Sequence, residues 1–175
     1  GTEHVLSESE IVIAPSHVDL SKCSLQYEED PVVAGSEILI HIIARDIYDN
    51  IRPVDASLFV VTCRDSEIPD MQVVNEGFNC YARMKLYKTG NYSIEVHSIQ
   101  GNLLIGVVTL TVVPCGSIDY FRSYVVLGSS EIHSQNPFNL SLGLVDLYGN
   151  MITELDRYNR QFLVRVRGSE DHFAG

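Results

Sequence analysis

The stretch SEILIHIIARDIYDN, residues 36–50, returns as NPFNLSLGLVDLYGN at residues 136–150. Both stretches end in the pattern Asp-x-Tyr-x-Asn, and no gap is needed to align them. The matched positions are Asp46, Tyr48 and Asn50 with Asp146, Tyr148 and Asn150, preceded at the same spacing by Val18-Asp19 and Ile118-Asp119. A period of about 100 residues is the size of one small β-sandwich domain. The repeat therefore predicts tandem sandwich domains.

Hydrophobic alternation in both stretches is that of β-strands. In the first, one face carries Ile38, Ile40, Ile42 and Ala44, and the other carries Leu39, His41, Ile43 and Arg45. In the second, Phe138, Leu140, Leu142 and Leu144 are predicted to point inward, and Asn139, Ser141 and Gly143 outward. No window has convincing helical periodicity. Short strands separated by turn signals predict an all-β, immunoglobulin-like sandwich.

Seven predicted strands make one complete sandwich: A 17–27, B 36–46, C 57–63, D 70–75, E 78–87, F 91–98 and G 103–113. Residues 16–114 are therefore predicted to be a complete repeat. Residues 115–175 are predicted to be a second, incomplete repeat, with strands at 118–127, 137–147 and 161–167. Half a sandwich lacks the partner sheet that would bury its apolar face.

The first residues of the chain, 1–15, are predicted to be a leader or the last strand of a preceding repeat. Ile11 to Ala14 lies one period before Thr111 to Pro114, which closes the complete repeat. We expect the chain to be an excerpt from a longer tandem array. The alternative is an irregular leader with a truncated boundary.

Three ordered motifs resemble the filamin-type immunoglobulin-like repeat. They are Asp46-x-Tyr48-x-Asn50 after strand B, Glu76-Gly77-x-x-Cys80 before strand E, and Tyr87-x-x-Gly90-Asn91-Tyr92 before strand F. The family usually has Gly-Ser-Pro-Phe before the last strand, where Ile105-Gly106-Val107-Val108 keeps only the glycine. Elementary physics gives the motif residues structural roles, since Asp and Asn cap tight turns and glycine supplies positive φ.

The resemblance implies that partner peptides bind by adding a strand beside strands C and D. The matching edge candidates here are Leu58, Val60, Thr62, Met71 and Val73. The alternative is an ordinary protected edge, since the neighbouring charged residues and proline discourage strand pairing.

Composition excludes several function classes. A formal net charge of −11 argues against binding to nucleic acid or to anionic membranes, which need basic patches. No apolar run reaches the roughly 20 residues of a membrane span. The six histidines lack metal-ligand spacing, and neither a nucleophile elbow nor a phosphate loop is present. We expect no enzyme activity, metal, cofactor or small-molecule substrate.

Four cysteines and two sequons bear on the compartment in which the protein works. Cys23, Cys63, Cys80 and Cys115 allow three disulfide connectivities, and four reduced thiols in a reducing compartment are the alternative. In folds of this type the second half of strand A runs beside strand G, so Cys23 and Cys115 are candidates for one bridge. Cys63 and Cys80 are the remaining pair, although simple topology puts them at different heights. Asn91 and Asn139 head the sequons Asn-Tyr-Ser and Asn-Leu-Ser, predicted in a turn and on an outward strand position.

These features favour an extracellular adhesion or recognition protein on the outer face of the plasma membrane. Its expected partner is another protein on an opposing cell, with membrane attachment only through a segment outside this sequence. Within the filamin-like class, the sequence resembles repeats of plant sperm-surface proteins, which implies gamete attachment. The alternative is a cytosolic filamin-like scaffold that binds partner peptides at the C–D edge.

Overall fold

The computed structural model describes residues 16–64, 68, 71–128 and 138–153. The predicted leader at 1–15 and the predicted strand at 161–167 lie outside these residues. The chain divides into two units, Gly1–Cys115 and Gly116–Gly175.

The main secondary-structure elements in the described part of the first unit are β-strands. Two 3₁₀ turns, Leu20–Lys22 and Ala56–Leu58, supplement them. The strands are β1 Ser24–Gln26, β2 Val32–Val33, β3 Glu37–Ile43, β4 Phe59–Cys63, β5 Gln72–Glu76, β6 Asn79–Lys85, β7 Gly90–Ser98 and β8 Leu104–Val113. The predicted all-β, immunoglobulin-like sandwich is confirmed.

Two four-stranded sheets form the sandwich, in the orders β1-β3-β6-β5 and β2-β8-β7-β4. Every pairing is antiparallel except that of β2 with β8, which is parallel. The prediction of one continuous strand A over 17–27 was wrong. This segment is a 3₁₀ turn capped by Asp19, followed by β1, and the chain then crosses to the other sheet to form β2.

The core lies between the sheets and follows from the predicted alternation of β3. Ile38, Ile40 and Ile42 are at most 2% exposed, and they face the opposite sheet, where Ile94 and Leu110 are 0% exposed. Burying each such aliphatic side chain contributes about 1.5–3 kcal/mol to folding. This contribution fixes the register of the strands, because a slip of one residue would turn the aliphatic face toward water.

In the second unit, the described residues form a two-stranded antiparallel sheet of β9 Tyr124–Leu127 and β10 Leu140–Gly143. Its buried cluster is Ile118, Leu144 and Ile152, with Leu142 packed against it. Two parts of the predicted alternation were wrong. Phe138 is 41% exposed because it precedes β10 and no ladder holds it inward. Gly143 is buried because the ring of Tyr124 lies over it.

One cross-strand pair differs between the repeats in a compensating way. In the first unit, Ser24 pairs with Ile43, a small residue with a large one. In the second, Tyr124 pairs with Gly143, and the large residue has changed strands. A Cβ atom on Gly143 would lie 2.4 Å from the Tyr124 ring, so any larger residue at this position requires the Tyr124 side chain to move.

Replacing Gly143 with isoleucine should therefore destabilise the second unit by about 1–3 kcal/mol through overpacking. Adding Tyr124→Ser should restore most of that stability, because it recreates the small–large pair of the first unit. Hydrogen-exchange mass spectrometry on peptides covering 138–153 measures the effect within the second unit. Equal protection in Gly143→Ile and wild type would contradict the overlap.

Candidate functional site

The repeated Asp-x-Tyr-x-Asn pattern is a buried turn in both units. The carboxylate of Asp46 accepts hydrogen bonds from the backbone N–H groups of Tyr48 and Asn50, both at 2.9 Å, and from the Asn50 side chain. A further bond, from the backbone N–H of Ser16 at 2.9 Å, ties the incoming chain to the turn. Asp46 is 0% exposed.

The second unit repeats this arrangement. Asp146 is also 0% exposed and accepts from the backbone N–H groups of Tyr148 and Asn150 at 2.9 and 2.8 Å. The two turns differ in the residue that adopts a positive φ. It is Asp49, with φ of 68°, in the first unit and Gly149, with φ of 81°, in the second. Because every polar atom named serves the turn, the pattern is scaffold in both repeats.

Hydrogen bonding dominates the acidity of Asp46. Burial by itself raises the pKa of this carboxyl, but the bonds from the Asn50 side chain and from the Ser16, Asn50 and Tyr48 amides outweigh burial. The pKa falls to about 2. Asp46 is therefore ionised at any physiological pH.

The edge predicted for partner binding is formed by two strands that end their sheets. Among the described residues, β4 pairs only with β7, and β5 pairs only with β6. Val60 and Thr62 point outward from β4, and Val60 is 42% exposed. Leu58 instead ends a 3₁₀ turn, and Met71 precedes β5, so both strands begin two residues later than predicted. Val73 lies on β5 and is half-buried.

The hydrogen-bond register shows which main-chain groups of β4 face outward. The N–H of Ile99 donates to the carbonyl of Leu58 at 2.8 Å, and the N–H of Arg64 donates to the carbonyl of Ser93 at 3.1 Å. Even-numbered residues of β4 therefore bond to β7, because antiparallel ladders alternate. The main-chain N–H and C=O groups of Val61 therefore point away from β7 in the plane of the sheet, where an added strand would pair with them.

A charged cluster absent from the sequence predictions lies beside this edge. A guanidinium nitrogen of Arg64 lies 2.9 Å from Glu95, whose other carboxylate oxygen is 3.1 Å from His97 Nε2. The Arg64 side chain is 69% exposed, whereas those of Glu95 and His97 are only 16% and 20% exposed. Alternation along β7 could have placed Glu95 and His97 on one face, but their position opposite Thr62 and Val60 of β4, next to Arg64, depends on the tertiary register.

The structure does not bring Cys23 and Cys115 together. Cys23 precedes β1, and a Cβ atom on Gly106 would lie 3.1 Å from Leu25, so β1 lies beside the beginning of β8. Cys115 follows the end of β8, and the strand from Gly106 to Val113 spans about 23 Å. The two cysteines lie apart because Cys23 precedes β1, which lies near the beginning of β8, whereas the segment that pairs with the end of β8 is β2.

Cys63 and Cys80 also lie at opposite ends, at the end of β4 and the beginning of β6. Cys23, just before β1, and Cys80, on β6, lie at the same end of the sandwich. Because β1 and β6 flank β3, two strand spacings place their Cα atoms about 10 Å apart. A disulfide needs a Cα separation of roughly 7 Å or less. None of these four cysteines, all of which lie within the described residues, forms a disulfide bond in the structure. Burial, together with smaller contributions from nearby Asp55 and Cys23, raises the pKa of Cys80 to about 11. This thiol is therefore protonated and unreactive at neutral pH.

Both sequon asparagines are exposed. The prediction of a turn at Asn91 was wrong, because β7 already begins at Gly90, and Asn91 pairs with Thr111. Asn139 precedes β10 rather than lying on it, and its carbonyl accepts the N–H of Gly128 at 2.9 Å. Glycosylation of either residue stays a prediction, and neither side chain is needed in a core.

The acidic segment after β1 borders a depression of about 340 Å³. Glu28, Glu29 and Glu37 line it together with Leu39 and His41. Glu28 accepts a hydrogen bond from the Gln26 side chain at 2.7 Å.

Within the described ranges, no group of three His, Cys, Asp or Glu residues is placed to hold a metal ion. No helix in the same residues is long and apolar enough to cross a membrane.

Comparison with known proteins finds a likeness in structure alone. No protein-family model matches the chain, and no curated protein matches it either. Among solved structures, invasin, a bacterial integrin-binding protein, aligns with a TM-score of 0.59 at 16% identity over 81% of this chain and 29% of its own. FdeC, an Escherichia coli adhesin, aligns with a TM-score of 0.53 at 17% identity over 77% of this chain and 43% of its own.

The chain shares the immunoglobulin-like fold of these adhesins. It spans less than half the length of either structure. At these identities the likeness concerns the fold, and neither protein is a filamin. The narrower filamin resemblance stays a prediction.

The depressed pKa of Asp46 predicts an acid-dependent loss of stability. A carboxyl with a lowered folded-state pKa stabilises the fold fully above its unfolded value near 4, and this contribution disappears as pH falls toward 2. Urea unfolding of the wild type should therefore show a falling midpoint across this window. Asp46→Asn should be less stable at neutral pH and should show a smaller fall.

The matched control is Asp49→Asn, which changes an exposed carboxylate in the same turn. It should keep the wild-type pH dependence. A wild-type fall that persists unchanged in Asp46→Asn would show that other carboxylates cause it.

Proposed function

We propose that the chain is an extracellular cell-adhesion or recognition module whose immunoglobulin-like repeats bind another protein on an opposing cell surface. The observation that carries the proposal is the edge at β4, which pairs only with β7 in the part of the chain that the structure describes and where Val60 is exposed beside outward-facing main-chain groups of Val61. Such an edge offers backbone hydrogen bonds for affinity and alternate side chains for specificity. The fold shared with two adhesin structures supports the same class of function.

Gamete attachment is the finer form of this proposal. It rests on the resemblance to filamin-like repeats of sperm-surface proteins and on two exposed sequon asparagines. The protein would then act at the outer face of the plasma membrane, attached through a segment outside this sequence.

A cytosolic filamin-like scaffold is the second candidate, and the cysteines favour it. No disulfide joins any of the four in the structure, and topology separates both predicted pairs. Reduced cysteines are the rule in the cytosol. The scaffold would use the same β4–β5 edge, with Leu58, Val60, Thr62, Met71 and Val73, to capture an extended peptide.

Intact-mass measurement separates the two compartments. The chain is expressed in a secreting eukaryotic host and weighed before and after enzymatic removal of glycans, with and without reduction. The extracellular proposal expects added glycan mass that is lost in Asn91→Gln and Asn139→Gln. A bare polypeptide mass with four titratable thiols would contradict it and favour the scaffold.

Adhesion itself is tested with beads coated with the chain. They should adhere to gametes of the source organism more strongly than to its somatic cells. Val60→Lys should lower adhesion about tenfold, corresponding to about 1.4 kcal/mol, because it places a charge at the β4 edge. Val126→Lys, the same change at an exposed strand valine of β9, is the matched control. Equal adhesion to both cell types would contradict gamete attachment, and no adhesion would contradict the adhesion proposal.

A further inference from the structure

The Asp46 turn carries three large apolar side chains that are exposed to water. Ile47, Tyr48 and Ile51 are 52%, 73% and 67% exposed, and we call them the turn tip. The N–H of Asp46 donates to the carbonyl of Asn50 at 3.0 Å, and the Asp46 carboxylate holds the turn from inside. The turn tip is therefore preorganised, which lowers the entropic cost of covering it.

The polar groups of the same turn are already bound within the first unit. Lys22 Nζ donates to the carbonyl of Ile47 at 2.7 Å and lies 3.3 Å from the Asp49 carboxylate. Arg45 donates to the carbonyl of Asp49 at 2.8 Å. The turn tip therefore offers a ligand mainly apolar surface, with two basic side chains beside it.

The incoming chain lies next to the turn tip. The N–H groups of Ser16 and Tyr48 bind the two oxygens of the Asp46 carboxylate, each at 2.9 Å, so these residues are neighbours. Since each residue of an extended chain spans at most about 3.6 Å, the Cα atom of Ile13 is held within about 11 Å of that of Ser16. Ile13 is therefore close enough to contact the turn tip.

The sequence before Ser16 matches this surface in character. Residues 11–15 are Ile-Val-Ile-Ala-Pro, an uncharged apolar run. The ten residues before this run contain three glutamates and neither lysine nor arginine. An apolar run with an acidic flank complements an apolar tip that has basic side chains beside it.

We propose that residues 11–15 bind the turn tip of their own chain. The short connection to Ser16 gives this segment an effective concentration in the millimolar range, so a small contact is sufficient. Ordering the segment costs conformational entropy of the same order as the free energy that burial of its side chains contributes. The segment therefore exchanges between a bound and a free form. The inference does not depend on the proposed adhesion function, because it concerns a contact within one chain.

Cleavage by a glutamyl endopeptidase after Glu10 tests the proposal on the intact 175-residue chain. A protease needs an extended segment on both sides of the cut, so residues 11–13 have to leave the turn tip before cleavage. Mass spectrometry should show cleavage at least tenfold slower than in a synthetic peptide of residues 1–20. Tyr48→Ser should raise the rate in the chain about fivefold, because it removes the most exposed side chain of the turn tip. Equal rates in the wild-type chain and the peptide would overturn the proposal.

Tyr148→Ser is the matched control, because it makes the same change in the equivalent turn of the second unit. It should leave the cleavage rate unchanged. Circular dichroism checks folding, and Ile51→Ser, at another exposed position of the turn tip, replaces Tyr48→Ser if that variant is unfolded. A wild-type rate in the turn-tip variant, or an equal rise in Tyr148→Ser, would contradict the contact. Protection that increases with protein concentration would show that the segment binds a second copy, and this result would also overturn the proposal.

Discussion

The buried carboxylate of Asp46 is the interaction on which the first sandwich depends. It gathers the amides of Tyr48 and Asn50 into one turn and, through Ser16, fixes the point where the chain enters the repeat. Without the negative charge these donors would be buried without a full partner, which is costly. Because Asp146 makes the corresponding turn, the second unit begins from the same anchor.

From this anchor, the path of the incoming chain determines which surfaces stay open. β1 pairs with β3, and the chain then crosses to pair β2 with β8. The first strand region therefore covers one lateral side of both sheets. The opposite side, with β4 and β5, is left as the edge. Among the described residues, both strands that end their sheets at β4 and β5 therefore lie on the same side of the sandwich.

The sequence was sufficient for the fold because the fold rests on local patterns. Alternation in β3 placed its isoleucines in the core, and Asp46 with Asn50 identified the turn. The features it missed depend on tertiary register. The Arg64–Glu95–His97 cluster needs β4 beside β7, and the separation of Cys23 from Cys115 depends on where strand A changes sheets. Gly143 was misplaced because its burial comes from a ring on the neighbouring strand, which alternation along one strand does not reveal.

The exchanged pair Ser24–Ile43 and Tyr124–Gly143 has a consequence for the folding of a tandem protein. Neighbouring repeats of similar sequence can trade equivalent strands and become trapped in a misassembled state. Here, pairing β9 with β3 would place Tyr124 opposite Ile43, whereas pairing β1 with β10 would place Ser24 opposite Gly143. Neither combination reproduces the pair of one small and one large residue that each repeat has. The exchange of side-chain size therefore makes a swapped pairing differ from a native one at this position.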